Sequence, residues 1–248
     1  MMNRETIAII SDIHGNSWAL KEVLKDIKAK GIEVIINLGD SIYGPLDPKG
    51  TFNLLTDNNV ISISGNQDRI ILENLNSKSE IETLEYVKAQ IDNNIIDWLK
   101  LLPFDYVFEN MIYCCHASPD NDSTYLLEKL QPNCVSVKNN IEIDKKLKNI
   151  KQKIVFCGHS HVPRTVETIT KTIINPGSIG LPAYDDDLPI LHKMESFNNY
   201  AKYSILTKKG NIMKIEQVTI PYDFEKAAAR AESNNRNDWA KWIRTGRA

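Results

Sequence analysis

From Thr6 to Gly31 the chain runs TIAIISDIHGNSWALKEVLKDIKAKG. Its opening, Thr6 to Ser11, is an apolar run of strand length that ends in polar turn residues. Leu20, Val23, Leu24 and Ile27 then recur at helical spacing, with Asn16 or Ser17 suited to cap the start and Gly31 the end. The same alternation follows downstream. Glu33 to Asp40, EVIINLGD, predicts a second strand ending in Gly-Asp. DPKGTFNLLTDNN predicts a short helix, and Val60 to Asn66, VISISGN, a third strand. A β-α-β-α-β order with continuous apolar strands implies a mainly parallel sheet buried on both faces, so the fold class is α/β.

Further along, residues 78 to 102 carry a helical pattern that breaks at DNN. DYVFEN and MIYCCHASP predict a hairpin turning at Glu109-Asn110. Residues 122 to 150 are expected to be helical in part, KIVFCGHSH is a strand ending in a turn, and RTVETITKTIINPGSIG holds two strands. LPAYDDDLPILHKMESFNN, with two prolines and three successive aspartates, reads as a surface loop. AKYSILTKKGNIMKIEQVTIP predicts a hairpin turning at Lys-Lys-Gly-Asn. YDFEKAAARAESNNRNDWAKWIRTGRA predicts a terminal helix capped by Asp223 and interrupted near Asn234-Asn235. With no linker, repeat or low-complexity segment, residues 1–248 are expected to form a single domain that includes the C-terminal hairpin and helix, 200–248.

Composition narrows the function. Of 248 residues, 42% are hydrophobic and 25% charged, and the formal net charge is -2. That balance argues against a duplex nucleic acid partner, which needs a basic field. It leaves room for a small anionic substrate, because a metal ion can supply local positive charge. No apolar stretch approaches the ~20 residues of a membrane span, and the N-terminal apolar run is shorter than a signal peptide core. Cys114, Cys115, Cys134 and Cys157 form no Cys-x-x-Cys pair, and three of them lie in apolar runs. These features fit a reduced, cytoplasmic protein with no membrane partner.

The strand ends carry the chemistry. Asp12 and His14 follow the first strand, Asp40 the second and Asn66 the third; His116 follows a later strand in CCHASP, and His159 and His161 follow another in GHSH. Strand carboxyl ends lie along one edge of a parallel sheet, where ligands bind. Four of the five histidines sit there, the fifth being His192. Seven metal-ligand side chains exceed the four of a tetrahedral zinc site and suggest two ions sharing one carboxylate, the arrangement that clamps attacking and leaving oxygens in phosphoryl transfer. The N/O donor set, without thiolate, suits two divalent transition-metal ions: Mn, Fe, Zn, Ni or Co.

The pattern D-x-H … GD … GN-x-D … H … GHSH resembles the calcineurin-like metallophosphoesterases. SDIHGN, GDSIYGP, INPGSIG and the terminal YD…A…W segment look most like a small bacterial phosphodiesterase-type branch of that superfamily. The resemblance covers nearly the whole chain. It implies a β-sandwich of two mixed sheets flanked by helices, a four-layer arrangement with metals at the strand ends. It also implies that Asp12, His14 and His161 bind one metal, that Asn66, His116 and His159 bind the other, and that Asp40 bridges them, with a hydroxide between the ions attacking phosphorus. The expected activity is hydrolysis of small phosphodiesters or nucleotides. The rival activities are a phosphomonoesterase or a dinucleoside-polyphosphate hydrolase, and, from another class, a phosphate-ligand-binding or scaffold protein.

One residue departs from that pattern. Much of the family has histidine as the third residue of GN-x-D, where it contacts phosphate and is proposed to protonate the leaving oxygen. This chain has Gln67, whose amide hydrogen-bonds but transfers no proton near neutral pH. Gln67 is read as orienting substrate, as yielding the acid role to His192 or Asp68, as marking a binder with weak turnover, or as an introduced replacement. Tyr43 is a candidate substrate contact or a turn-packing residue, and Arg164 a candidate phosphate ligand or a surface arginine. Asp185, Asp186 and Asp187 are a solvated loop or a third metal site. Asn175 and Ser178 are expected to hold backbone beneath the site.

Overall fold

The structure, a computed structural model, describes residues 4–132, 134–210 and 212–248. It opens with β1 (Arg4–Ile10), α1 (Ser17–Ala29), β2 (Val34–Asn37), α2 (Pro48–Asp57) and β3 (Ile61–Ser62). Next come α3 (Asn66–Glu73), α4 (Glu82–Gln90), α5 (Asn93–Leu101), β4 (Asp105–Phe108), β5 (Ile112–Cys115), β6 (Glu128–Gln131), β7 (Cys134–Val137) and α6 (Asn140–Lys146). The last third holds β8 (Ile154–Phe156), β9 (Arg164–Glu167), β10 (Thr172–Asn175), β11 (Ala183–Asp186), β12 (His192–Glu195), β13 (Ala201–Lys209), β14 (Ile212–Ile220), α7 (Phe224–Ser233) and α8 (Asn237–Thr245).

Two five-stranded mixed sheets result, in the orders β14-β13-β1-β2-β3 and β4-β5-β8-β10-β9. β1, β2 and β3 run parallel, as the alternation predicts, while β13 pairs antiparallel with the outer side of β1. In the second sheet β5, β8 and β10 are parallel. The sheets face each other through Ile7, Ile9, Ile36, Leu38, Cys114, Phe156 and Ile174. The alternate residues of β1, Ala8 and Ile10, turn instead to Leu20, Val23 and Ile27 of α1. Tyr113, Cys115, Val155 and Ile173 cover the far side of the second sheet together with Ile143 of α6. Both faces of each central strand are therefore buried, which is why the strands read as unbroken apolar runs. The architecture is the expected sandwich of two mixed sheets flanked by helices.

A further helical layer closes one end. Leu84, Val87, Ile95 and Leu99 of α4 and α5 pack with Ala227, Ala231, Trp239 and Ile243 of α7 and α8, and with Ile42, Tyr43 and Leu46 of the loop after β2. The C-terminal helices thus rest on a loop that leads directly from a functional strand end.

Several local expectations need correction. Residues 122 to 150 are helical in part, as expected, through α6, but they also hold the hairpin β6/β7, whose short and half-exposed strands give no periodic signal. The segment around Asp185 is not simply a surface loop: β11 and β12 pair as a hairpin that buries Ala183, His192 and Met194. The terminal segment is two helices, α7 and α8, parted where Asn235 adopts φ +60°. Asp223 occupies the cap position of α7 without a side-chain cap bond. Asn66, at the end of a predicted tight turn, is instead the first residue of α3. The expected turn residue Asn211 and the first three residues lie outside the described residues. The four cysteines are free, and among the described residues no helix is long and apolar enough to cross a membrane.

Candidate metal centre

The carboxyl ends of β1, β2, β3, β5 and β8 deliver all seven side chains to one rim. Asp12, His14 and His161 form one group whose ligand atoms lie within 4.8 Å of one another; Asp40, His116 and His159 form a second. Asn66 joins the second through Oδ1, 3.0 Å from His116 Nε2. Asp40 Oδ2 stands 3.4 Å from His116 Nε2 and 3.8 Å from His14 Nε2, so it touches both groups.

The backbone is bent to achieve this. Asp12, His14, Asp40, His159 and His161 all adopt positive φ, between +52° and +67°. For non-glycine residues that region costs of order 1–2 kcal/mol each. Loop-to-loop stitching holds the turns in place: Asp12 and His14 donate to the carbonyls of Gly39 and Asp40 at 3.1 and 3.0 Å, and Gly158 donates to His116 O at 2.6 Å. The loops after β2 and β3 also meet closely. A Cβ on Gly65 would collide with the Asp40 carboxylate, and one on Gly39 with the Gly65 backbone, so both positions need glycine.

The histidine tautomers follow from their outer bonds. His14 Nδ1 meets Tyr43 O at 3.0 Å, His116 Nδ1 meets Leu38 O at 2.9 Å, and His161 Nδ1 meets Leu181 O at 2.6 Å. A carbonyl only accepts, so each Nδ1 carries a proton, and each ring in its neutral, metal-binding form turns a lone pair outward at Nε2. His159 is reversed: its Nε2 meets Ser123 O at 3.2 Å, leaving Nδ1 free. The lone pairs of His14 and His161 then face each other at 3.0 Å. That of His116 faces the Asn66 oxygen and the Asp40 carboxylate. Lone pairs converging on lone pairs repel unless a cation sits among them, so this donor set fits metal ions.

Without a cation, charge settles in a compensating way. At His116 burial opposes the charged form, but the Asp40 and Asp12 carboxylates outweigh it and lift the ring to about 10. Burial, reinforced by neighbouring histidines, holds His14 and His159 down to about 4. Asp12 and Asp40 stay below the usual carboxylate range; burial works against their charge and the adjacent histidines overcome it.

The structure reassigns several candidates. Asp68 does not face the cleft. Fully buried, its carboxylate accepts from Asp40 N (2.9 Å), Ser41 N (3.1 Å) and Gly65 N (3.0 Å), which welds the GD loop to the GN loop. Burial and then Asp40 push it up to about 7. His192 lies behind the site, with Nε2 2.8 Å from the Tyr125 hydroxyl and Nδ1 2.8 Å from Ile190 O. Arg164 is bound to Glu128 at 3.1 Å, which makes it a structural partner and not a phosphate ligand. Asn175 bonds Gly158 O at 2.7 Å and Ser178 bonds Asp12 O at 2.7 Å, so both hold backbone beneath the rim.

Gln67 and Tyr43 do reach the open cleft, which has a volume of about 230 Å³. The Gln67 backbone N–H donates to Asp40 Oδ1 at 2.8 Å while its side chain lines the cleft. Tyr43 packs in the core and also borders the cleft. Asp185 and Asp186 form part of the rim, as does Tyr184, whose ring meets His161 at 4.6 Å. The remaining wall is Ile81, Arg236 and Trp239, the last two from the terminal YD…A…W segment.

Comparison with known proteins agrees with this geometry. Residues 6–195 match the calcineurin-like phosphoesterase superfamily domain. The chain belongs to that superfamily. Its members are phosphoesterases that use divalent metal ions, and this chain presents two groups of candidate ligands for them. An uncharacterized protein of Methanocaldococcus jannaschii is 31% identical over 261 aligned residues, covering 96% of each chain. A metallophosphoesterase from Sphaerobacter thermophilus shares the fold with a TM-score of 0.77 at 21% identity, covering 98% of this chain and all of that one. A hypothetical protein from Pyrococcus horikoshii OT3 has a TM-score of 0.75 at 18% identity, covering 97% and 98%.

Proposed function

We propose that this chain is a two-metal phosphoesterase acting on small phosphodiesters or nucleotides. The convergence of unprotonated ring nitrogens with the Asp12 and Asp40 carboxylates carries this reading. Asp12, His14 and His161 would hold one ion, Asn66, His116 and His159 the other, and Asp40 both. Divalent cations held there supply positive charge to phosphoryl oxygens and acidify the attacking water.

The chain's own residues do the remaining work. The Nδ1–H bonds to backbone carbonyls fix the rings, so no reorganisation is needed when substrate enters. Asp68 sets the spacing of the Asp40 and Asn66 loops. The Gln67 amide offers the substrate hydrogen bonds but no proton. Esters whose leaving group departs without protonation are therefore favoured, and a general acid ordinarily contributes ~10²–10⁴-fold. A cleft of about 230 Å³ suits a small ester. A phosphate-binding protein with weak turnover is the second reading, favoured by the same Gln67.

The test is hydrolysis of bis-p-nitrophenyl phosphate and p-nitrophenyl phosphate with Mn, Ni, Fe, Co and Zn in turn. Metal-dependent release of p-nitrophenol, faster from the diester, is expected. No release with any metal, despite stoichiometric binding, would leave the binding reading standing alone.

A further inference from the structure

The cleft wall on the helical side contains a cation with no place in the metal chemistry. Arg236 precedes α8 and lies outside the stretch shared with the superfamily domain, residues 6–195. Of the residues lining the cleft, it is the one that carries a permanent positive charge; Asp185 and Asp186 line it as well. Its guanidinium is held on three sides. Nε donates to Asp238 Oδ1 at 2.9 Å and Nη2 to Asp238 Oδ2 at 2.6 Å. Nη1 donates to Thr83 Oγ1, and the Trp239 ring lies beneath at 5.4 Å.

A guanidinium has five N–H donors. Three are used, so two remain without partners among the described residues. An arginine oriented by a carboxylate, a hydroxyl and an aromatic face, with donors left over at a cleft, is preorganised for an anion. Its charge also reaches the Tyr43 hydroxyl, where it opposes the upward push of burial.

We infer that Arg236 anchors a second phosphate of the substrate, beyond the phosphoryl group taken at the metal centre. The preferred substrates are then phosphoesters or anhydrides with two phosphates, and the acidic rim at Asp185 and Asp186 turns that second phosphate toward α8. This rests on the phosphoesterase reading and adds selectivity supplied from outside the shared domain.

Titration calorimetry tests it, using protein loaded with Mn and Mn kept in excess of ligand, with methylphosphonate and methylenediphosphonate as probes. The wild type is expected to bind the diphosphonate ~10-fold or more tighter, as a charge-assisted bidentate contact would give. Arg236→Ala should collapse that ratio toward one. Arg236→Lys, which keeps the charge but loses the fork, should lower it less; it carries the same test if the alanine variant does not fold. An undiminished ratio in the folded variants overturns the inference and leaves the phosphoesterase reading intact. A protein that takes up neither Mn nor methylphosphonate overturns both.

Discussion

The metal rim and the α8 wall border the same cleft but are built in opposite ways. Each rim residue lies in the loop after a strand or, for Asn66, at the start of the helix beyond it, and these loops are held by hydrogen bonds to one another. The wall residues Arg236 and Trp239 reach the cleft because α7 and α8 fold back on α4, α5 and the loop after β2. The rim's positions are set by sheet topology, those of the wall by helix packing. The rim therefore suits chemistry that needs fixed geometry, and the wall suits selectivity for the rest of the substrate.

The strongest way to break the rim without touching a proposed ligand is Asp68→Ala. It leaves three buried N–H groups, on Asp40, Ser41 and Gly65, without an acceptor. At 1–3 kcal/mol for each orphaned group, a loss of about 4 kcal/mol is expected in urea unfolding. Metal affinity should fall ~10–100-fold as the two loops loosen. A variant with unchanged stability and metal affinity would show that Asp68 is not the weld between them.

Lys202, on β13 beneath the INPGS loop, gives a pH-dependent comparison. It is 1% exposed, its Nζ donates to Tyr200 O at 2.8 Å, and burial lowers it to about 8. In the unfolded chain a lysine titrates near 10.4. Between those values the unfolded state binds more protons, so the contribution of this group to stability rises with pH across the window. Below pH 8 both states are charged, and the folded state carries the full penalty of about 3 kcal/mol. The stability of Lys202→Met relative to wild type should thus fall by about 3 kcal/mol from pH 8 to 10.5. A flat difference would contradict this account.

Gln67→His sharpens the rim's one departure from the family pattern. It restores a proton donor at the cleft while keeping the backbone bond to Asp40. A gain of ~10²-fold is expected for alkyl phosphate monoesters, whose leaving oxygen needs a proton, with a smaller gain for p-nitrophenyl esters. Equal gains on both would sink the missing-acid explanation.

The two regions also differ in how much the sequence revealed. Asp12, His14, Asp40, Asn66, His116, His159 and His161 were legible because strand ends announce themselves: an apolar run stops and a polar residue follows. The parallel order of β1, β2 and β3 came from the same alternation. Arg236 was not legible, because nothing local marks which arginine of the terminal segment will border a distant loop. Asp68, offered beside His192 as an alternative proton source, could not be placed from sequence either: its position in the first turn of α3 directs the carboxylate back to the Gly65 N–H. The β11/β12 hairpin stayed hidden because its strands are short and mostly polar, with no regular alternation of apolar residues.

Metal content decides whether the rim holds two ions. Purified protein, dialysed against a divalent transition metal and then against metal-free buffer, should retain two ions per chain. Its thermal midpoint should fall when a chelator removes them, since the strained turns and facing lone pairs then lose their counter-charge. Fewer than one ion per chain, with a midpoint indifferent to chelator, would contradict it.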